Sequence, residues 1–325
     1  MIRIATRRSA LARAQAFQTG QLISQRTGED FELVPMATTG DAHPLRPVGA
    51  FETKGLFVDA LREALLDGYC DIAVHSYKDL PTQAAPGIAI GAVPPREDPR
   101  DVLITRGGER LSTLAPTATV GTSSERRRLE LLRSRPSLQV LPLRGNLDTR
   151  LRKVAEGEFD AVVVALAGLR RLYVPEELGG VGPLGLPLAA MPLEPGECLP
   201  APAQGALAVE CRAEDARVLA LCKCVDDLAT HHAVRAERAY LQRLGGGCLA
   251  PVGALGRLVS PAQIELVGML ACPVTRKVIR RSLRGPIGDP EQLGIALAED
   301  IDAAGGAAML EMIGELRAQR DHAAH

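Results

Sequence analysis

Asp71-Ile72-Ala73-Val74-His75-Ser76-Tyr77-Lys78-Asp79-Leu80-Pro81 is the stretch on which the fold turns. Asp-Ile-Ala-Val reads as the opening of a buried strand. The run then becomes polar and charged at His-Ser-x-Lys-Asp-x-Pro, just where a short strand ends. In a parallel α/β sheet, ligands bind beyond the carboxyl ends of the strands. Lys78 and Asp79 are therefore either an ion pair capping a strand or part of a site.

The residues before this stretch supply the rest of a β-α-β-α-β unit. Ile2 to Ala5 reads as a strand and Ala10 to Arg26 as a helix, with apolar residues at Leu11, Ala14, Phe17, Leu22 and Ile23. Phe31 to Met36 reads as a second strand. A Gly- and Pro-rich loop over 38–54 leads to a helix over Leu56 to Leu66 that Asp67-Gly68 closes. This pattern predicts a parallel sheet with right-handed crossovers. The plan recurs about a hundred residues later, with a strand running into a polar turn over Ala118 to Ser124, strands at Leu138 to Leu143 and Ala161 to Ala165, and helices at Arg126 to Arg133 and Asp148 to Ala155. Asp67-Gly68-Tyr69-Cys70-Asp71 matches Glu156-Gly157-Glu158-Phe159-Asp160, with a Gly stop and an Asp before the strand in both.

The fold class expected is therefore α/β, with two lobes of related plan flanking a cleft. Two Pro-rich linkers, over 93–100 and 199–205, mark crossings between them, so the first lobe is discontinuous. After about residue 225 a helix over Ala229 to Leu244 is followed by strand-like runs and then by helices. That order indicates a small C-terminal α+β domain with an antiparallel sheet. The expected boundaries are 1–95 with 200–224 for the first lobe, 100–195 for the second, and 225–325 for the third domain.

Composition excludes several classes. The 325 residues are 46% hydrophobic and 24% charged with a net charge of -1, an ordinary soluble composition. No apolar run reaches the roughly 18 residues of a membrane span. The chain begins directly with a strand and without a signal-peptide pattern, so a cytoplasmic location is expected. Near-neutral charge and the absence of Trp give no indication of a nucleic-acid surface. Seven scattered cysteines fit reduced thiols better than a disulfide framework. Cys222-Lys223-Cys224 is too tight for a zinc knuckle, and His231-His232 reads as a surface pair, so no metal site is expected.

Three kinds of residue are candidates for chemistry. Cys248 follows Gly245-Gly246-Gly247, a run that frees the backbone and lets a bulky group approach. It is either an incidental cysteine in a flexible turn or an accessible thiol, and it lacks the His partner that a thiol nucleophile normally needs. Second, 33 arginines against five lysines include Arg7, Arg8, Arg126, Arg127, Arg128, Arg144, Arg150, Arg170 and Arg171 near strand ends and turns. Thr122, Ser123 and Ser124 add hydroxyls in one of those turns. Guanidinium forks suit carboxylate or phosphate, and helix N-termini favour anions. Third, Asp79 among such cations stays ionised, which suits stabilising a positive charge.

Val74-His75-Ser76-Tyr77-Lys78-Asp79-Leu80-Pro81, Gly121-Thr122-Ser123-Ser124-Glu125-Arg126-Arg127, Leu143-Arg144-Gly145-Asn146, Ala203-Gln204-Gly205-Ala206 and Gly246-Gly247-Cys248 together resemble the hydroxymethylbilane synthase (porphobilinogen deaminase) family. The likeness runs from Ile4-Ala5-Thr6-Arg7-x-Ser9 to the C-terminal domain. It implies two lobes like periplasmic binding proteins and a third domain bearing a covalent dipyrromethane cofactor, held as a thioether on the loop cysteine, here Cys248. It implies a transferase of porphyrin and heme biosynthesis that joins four porphobilinogen units head to tail with loss of ammonia, then releases the linear tetrapyrrole. The matching catalytic carboxylate is Asp79. By the same resemblance, cofactor and substrate contacts fall on Arg7, Ser9, Lys54, Ser76, Lys78, Thr122, Ser123, Ser124, Arg126, Arg127, Arg144, Arg150, Arg171 and Gln204. Each pyrrole unit carries an acetate and a propionate, which accounts for the arginines without any phosphate.

One loop departs from the family pattern. Many relatives carry a second Lys a few residues before Lys54, whereas here the loop reads Gly49-Ala50-Phe51-Glu52-Thr53-Lys54. It is expected to act as a lid. Porphobilinogen is the expected partner, with no nucleic acid, membrane or obligate protein partner, and a monomer is the default. A solute-binding protein would share two lobes but would need neither Cys248 nor Asp79, and a thiol hydrolase would use Cys248 as its nucleophile.

Overall fold

The two related halves fold into two five-stranded sheets with the same strand order. The computed structural model describes residues 1–36, 52–173, 183–245 and 250–322. The expected lid loop before Glu52, and Cys248, lie outside the described residues, as does the side chain of Lys54. In chain order, the first elements are β1 (Ile2–Arg7), α1 (Ala10–Thr27), β2 (Phe31–Met36), α2 (Glu52–Leu66), β3 (Ile72–Ser76) and β4 (Ile88–Ala92). Next come β5 (Asp101–Thr105), β6 (Thr119–Gly121), α3 (Glu125–Ser134), β7 (Gln139–Leu141), α4 (Leu147–Ala155), β8 (Ala161–Ala165), α5 (Leu166–Leu172) and β9 (Ala189–Pro192). Then β10 (Leu207–Arg212), α6 (Ala216–Lys223) and α7 (Leu228–Leu244) lead to β11 (Val252–Ser260), β12 (Gln263–Ala271) and β13 (Val278–Pro286). The helices α8 (Pro290–Ile301) and α9 (Ala307–His322) follow.

The chain divides into one unit of 1–97 with 205–232 and another of 98–204 with 233–325. In the first unit the sheet runs β2-β1-β3-β10-β4, and in the second β7-β6-β8-β5-β9. The strands β2, β1 and β3 are parallel, as are β7, β6 and β8. The sheets are nevertheless mixed, a departure from the parallel expectation: β10 runs antiparallel to β3 and β4, and β5 antiparallel to β8 and β9. Each antiparallel strand is the first one after a crossing, so the reversal comes from the linkers. Pro35 sits in β2, an edge strand, where its missing N–H costs no ladder bond.

The matched sequence punctuation has matched structural work. Gly68 and Gly157 take φ of 75° and 83°, the left-handed conformation that closes a helix. Asp71 accepts the backbone N–H of Arg3 at 2.9 Å, and Asp160 that of Thr119 at 2.7 Å. In both units the Asp thus ties the start of one parallel strand to its neighbour. Alternate residues of each strand go to opposite faces. Ile4, Ile72, Val74 and Val209 pack against α1 and α6, while Ala5 and Ala73 face Leu61 and Leu65 of α2.

The second unit also contains the three-stranded antiparallel sheet β11-β12-β13. Its own core includes Tyr240 from α7, Leu266 and Leu270 from β12, and Leu297 and Ile301 from α8. Leu129 of α3 packs with Met269 and Ala271, and Arg280 of β13 is ion-paired with the buried Glu130 of α3.

The first unit buries a carboxylate in its interior. Arg62 of α2 grips Glu210 of β10 through Nε at 3.1 Å and Nη2 at 2.6 Å, and His75 Nε2 lies 3.2 Å from Oε2. Burial alone would raise the Glu210 carboxyl, but His75 and Arg62 bring it below its ordinary value. Removing one partner from such a pair strands a buried charge. Arg62→Met is expected to cost about 3–5 kcal/mol in urea unfolding near neutral pH. Because the folded-state carboxyl is depressed, the stabilisation is complete above the unfolded-state value, ~4.3, and is lost as pH falls through the folded-state value. The difference between wild type and Arg62→Met should shrink over that acid range.

Candidate active site

Adjacent parallel strands deliver their last residues to one edge, and the expected site residues gather there in each unit. In the first unit β1 ends at Arg7 and β3 at Ser76, with Ile4 beside Ile72 fixing the register. Ser9 caps α1, its hydroxyl oxygen accepting the Ala12 N–H at 3.3 Å. Ser76 shares hydrogen bonds with the Gln15 side chain, at 2.8 and 3.1 Å. A single tight turn, Tyr77–Asp79, follows β3. Tyr77 is buried beneath the turn, Lys78 is half-buried, and Asp79 is exposed. The sequence Tyr-Lys-Asp thus spends its aromatic residue on anchoring the turn and presents its two charges outward.

In the second unit, Thr122, Ser123 and Ser124 leave β6 at the equivalent edge. Thr122 Oγ1 accepts the Ser124 N–H at 3.2 Å, and Ser123 Oγ donates to Leu143 O at 2.8 Å. Ser124 caps α3 by accepting the Arg127 N–H. Ser9 and Ser124 therefore occupy the same structural position, each with a hydroxyl hydrogen still to donate. Arg144 is exposed after β7, Arg150 is half-buried on α4, and Arg171 lies in the last turn of α5.

Arg126, Arg127 and Gln204 converge on a residue that the sequence reading missed. Asp101, with no exposed surface, accepts from Arg126 Nη1 at 2.8 Å, from Arg127 Nε and Nη2 at 3.1 and 2.8 Å, and from Gln204 Nε2 at 2.8 Å. The Cys198 thiol lies 3.4 Å from the same carboxylate. Burial alone would raise the Asp101 carboxyl, but the two guanidinium charges hold it well below the usual carboxylate range. Asp101 directly follows a charged linker, so nothing in its spacing marks it out. The one available signal is a charged residue heading the apolar run Val102-Leu103-Ile104.

The cationic side of this cluster exceeds its anionic side. Burial, and then the charge of Arg127, push the Arg150 guanidinium below its ordinary value. Three guanidiniums accompany the one carboxylate of Asp101, with hydroxyls of the Thr122–Ser124 turn on the same edge. Such a donor set fits a group bearing several carboxylates, as dipyrromethane does. The first unit carries Arg7 and Lys78 at the edge of its own sheet. Among the described residues, no group of His, Cys, Asp and Glu could hold a metal ion, and no helix is long and apolar enough to cross a membrane.

Two family models match the chain: "Porphobilinogen deaminase, dipyromethane cofactor binding domain" over residues 2–220, and "Porphobilinogen deaminase, C-terminal domain" over 231–303. The porphobilinogen deaminase of Acidothermus cellulolyticus is 45% identical over 315 residues, covering 96% of this chain and 91% of that protein. That of Thermus thermophilus is 42% identical over 313 residues, covering 95% and 98%, and that of Mycobacterium tuberculosis 44% identical over 309, covering 93% and 96%. An α/β enzyme with a cofactor-binding domain is the class these matches define. The chain belongs to the porphobilinogen deaminase family, a family of transferases.

The cysteines separate sharply by environment. Cys224 is exposed, whereas Cys70, Cys198, Cys211, Cys222 and Cys272 are buried. Burial pushes the Cys70 thiol up to about 11, and burial with the Asp101 charge pushes Cys198 higher still. At pH 7 a maleimide should modify Cys224 in the native protein and reach these five only after unfolding. Peptide mapping checks this and reports Cys248 separately.

Proposed function

We propose that the chain joins four porphobilinogen molecules head to tail with loss of ammonia and releases the linear tetrapyrrole hydroxymethylbilane by hydrolysis. The observation that carries this reading is the exposed Asp79 carboxylate at a strand end, in a chain of this family that holds surplus guanidiniums at the corresponding edge of its second repeat. Dipyrromethane, bound as a thioether on Cys248, supplies the pyrrole primer and keeps the product tethered. Such an anchor is not turned over, so Cys248 needs no base. Porphobilinogen is the small-molecule partner, in a monomeric, cytoplasmic enzyme whose third domain, over 225–325, carries the cofactor.

The roles of the side chains follow from their charge. Arg7, Lys78, Arg126, Arg127, Arg144, Arg150 and Arg171 receive the acetate and propionate groups of the pyrroles, helped by the hydroxyls of Ser9, Thr122 and Ser124, while Ser76 and Ser123, which donate to Gln15 and Leu143 O, hold their turns in shape. Lys54 completes the set, and Gln204, whose amide donates to Asp101 and Pro99 O, supports it from behind. The cofactor would supply a pyrrole carbon for the new C–C bond, with the substrate C–N bond broken as ammonia leaves and one ring proton lost. The Asp79 carboxylate would stabilise the positive charge that such a substitution develops and would take up the proton.

Two measurements test the reading. Intact-mass analysis should find a dipyrrole mass added to the wild-type chain and absent from Cys248→Ala; unmodified wild type that still turns over substrate would remove the covalent primer. Asp79→Asn changes an exposed side chain, so the fold and the added mass should survive while turnover falls by about 10²–10⁴. Turnover within a few-fold of wild type would take Asp79 out of the mechanism.

A further inference from the structure

Asp101 is a buried carboxylate to which the reading above gives no task. It opens β5, and the register sets it opposite Ala165, the last residue of β8. It therefore lies at the carboxyl edge of the second unit's parallel strands and not deep within the sheet. Every group it grips belongs to the expected binding set or adjoins it. Gln204 Nε2 bonds both Asp101 and Pro99 O at 2.8 Å, so both hydrogens of that amide are engaged. Arg127 is held by Asp101 through Nε and Nη2 and donates from Nη1 to Val163 O at 3.0 Å. Arg126 Nη1 donates to Asp101 and to Leu199 O.

We propose that Asp101 is a positioning residue for the carboxylate-binding edge, fixing the orientation of the Arg127 guanidinium before a ligand carboxylate arrives. The proposal rests on the functional reading above. A guanidinium is a planar fork, and a grip on two of its nitrogens sets the plane in which the remaining N–H groups point. Arg150 brings a third positive charge close to Arg127. Without an anion between them, these side chains would separate and lose the geometry that a polycarboxylate chain needs. Neutralising the arginines requires only a negative charge nearby. Orienting them requires the two-bond grip, and that difference is testable.

Arg127→Lys keeps the charge next to Asp101 but cannot make the two-bond grip, and Asp101→Asn keeps the shape but removes the charge. Both variants and their double are prepared as full-length chains. Melting temperature and near-ultraviolet circular dichroism report folding. Intact mass reports the fraction carrying the dipyrrole and, after a limiting pulse of porphobilinogen, the lengths of the enzyme-bound chains. The expected results are a loaded fraction reduced about tenfold in Asp101→Asn and, in folded Arg127→Lys, kcat per loaded chain reduced about tenfold with KM within about threefold. Bound chains in Arg127→Lys should stop shorter than in wild type. If Asp101 acts through Arg127, adding Asp101→Asn to Arg127→Lys changes kcat/KM by no more than about twofold, whereas independent roles would multiply. Should Asp101→Asn fail to fold, Asp101→Glu, which keeps the charge but displaces the two-bond grip on Arg127, takes its place in the same measurements. A folded variant of either kind that loads and elongates like wild type overturns the proposal, as does multiplication in the double. Wild type without a dipyrrole mass removes the functional reading instead, and this proposal with it.

Discussion

Parallel strands lying side by side must end on the same edge, and the arrangement of this protein depends on that constraint. In the first unit it brings the ends of β1 and β3 together, and with them Arg7, Ser9, Ser76, Lys78 and Asp79. In the second it does the same for β6 and β8, collecting the Thr122–Ser124 turn and the start of α3. Residues more than sixty positions apart in sequence become neighbours without any long loop reaching between them. The same edge is where helix N-termini point, so Ser9 and Ser124 cap helices while presenting hydroxyls on the side where anions are favoured. Charge, hydroxyl donors and helix ends coincide because strand polarity leaves them no other place.

This logic explains which parts of the molecule were legible in the residues and which were not. The two repeats could be read because their signals are local. A glycine in the left-handed conformation closes the helix, and an Asp then pins the next strand to its neighbour, at 68 and 71 and again at 157 and 160. Asp79 could be read because a charge at a strand end lacks a packing role. The antiparallel strands β5 and β10 could not be oriented, since their direction is set by where the chain re-enters a sheet after a linker. β4, β5 and β9 were missed as strands for related reasons. Asp101-Val-Leu-Ile-Thr adjoins a run of alternating charge that reads as linker, while Ala189-Ala-Met-Pro has little β propensity and follows a Gly- and Pro-rich stretch. The Asp101 cluster was illegible as a cluster. Its members sit at 101, 126, 127, 198 and 204, and nothing but the folded register brings them to one carboxylate.

The five-stranded sheet of each unit buries one carboxylate on an antiparallel strand and grips it with arginine, yet the two differ in where they lie. Glu210 pairs in register with Ala73, three residues before the last of β3, so Arg62 and His75 enclose it beneath α2, away from the carboxyl edge. A charge in that position acts on stability, since every group touching it is part of the scaffold. Asp101 pairs with the last residue of β8, and the arginines that reach it start from the turn after β6. Moving a buried carboxylate from the interior of a sheet to its ligand edge changes what its partners can do. The unit-1 residue at the comparable edge position is Leu207, opposite Ser76, so no counterpart of Asp101 occurs there. The two repeats share a backbone plan but not an electrostatic one. The first leaves a carboxylate exposed at Asp79, and the second buries its edge carboxylate between the guanidiniums of Arg126 and Arg127.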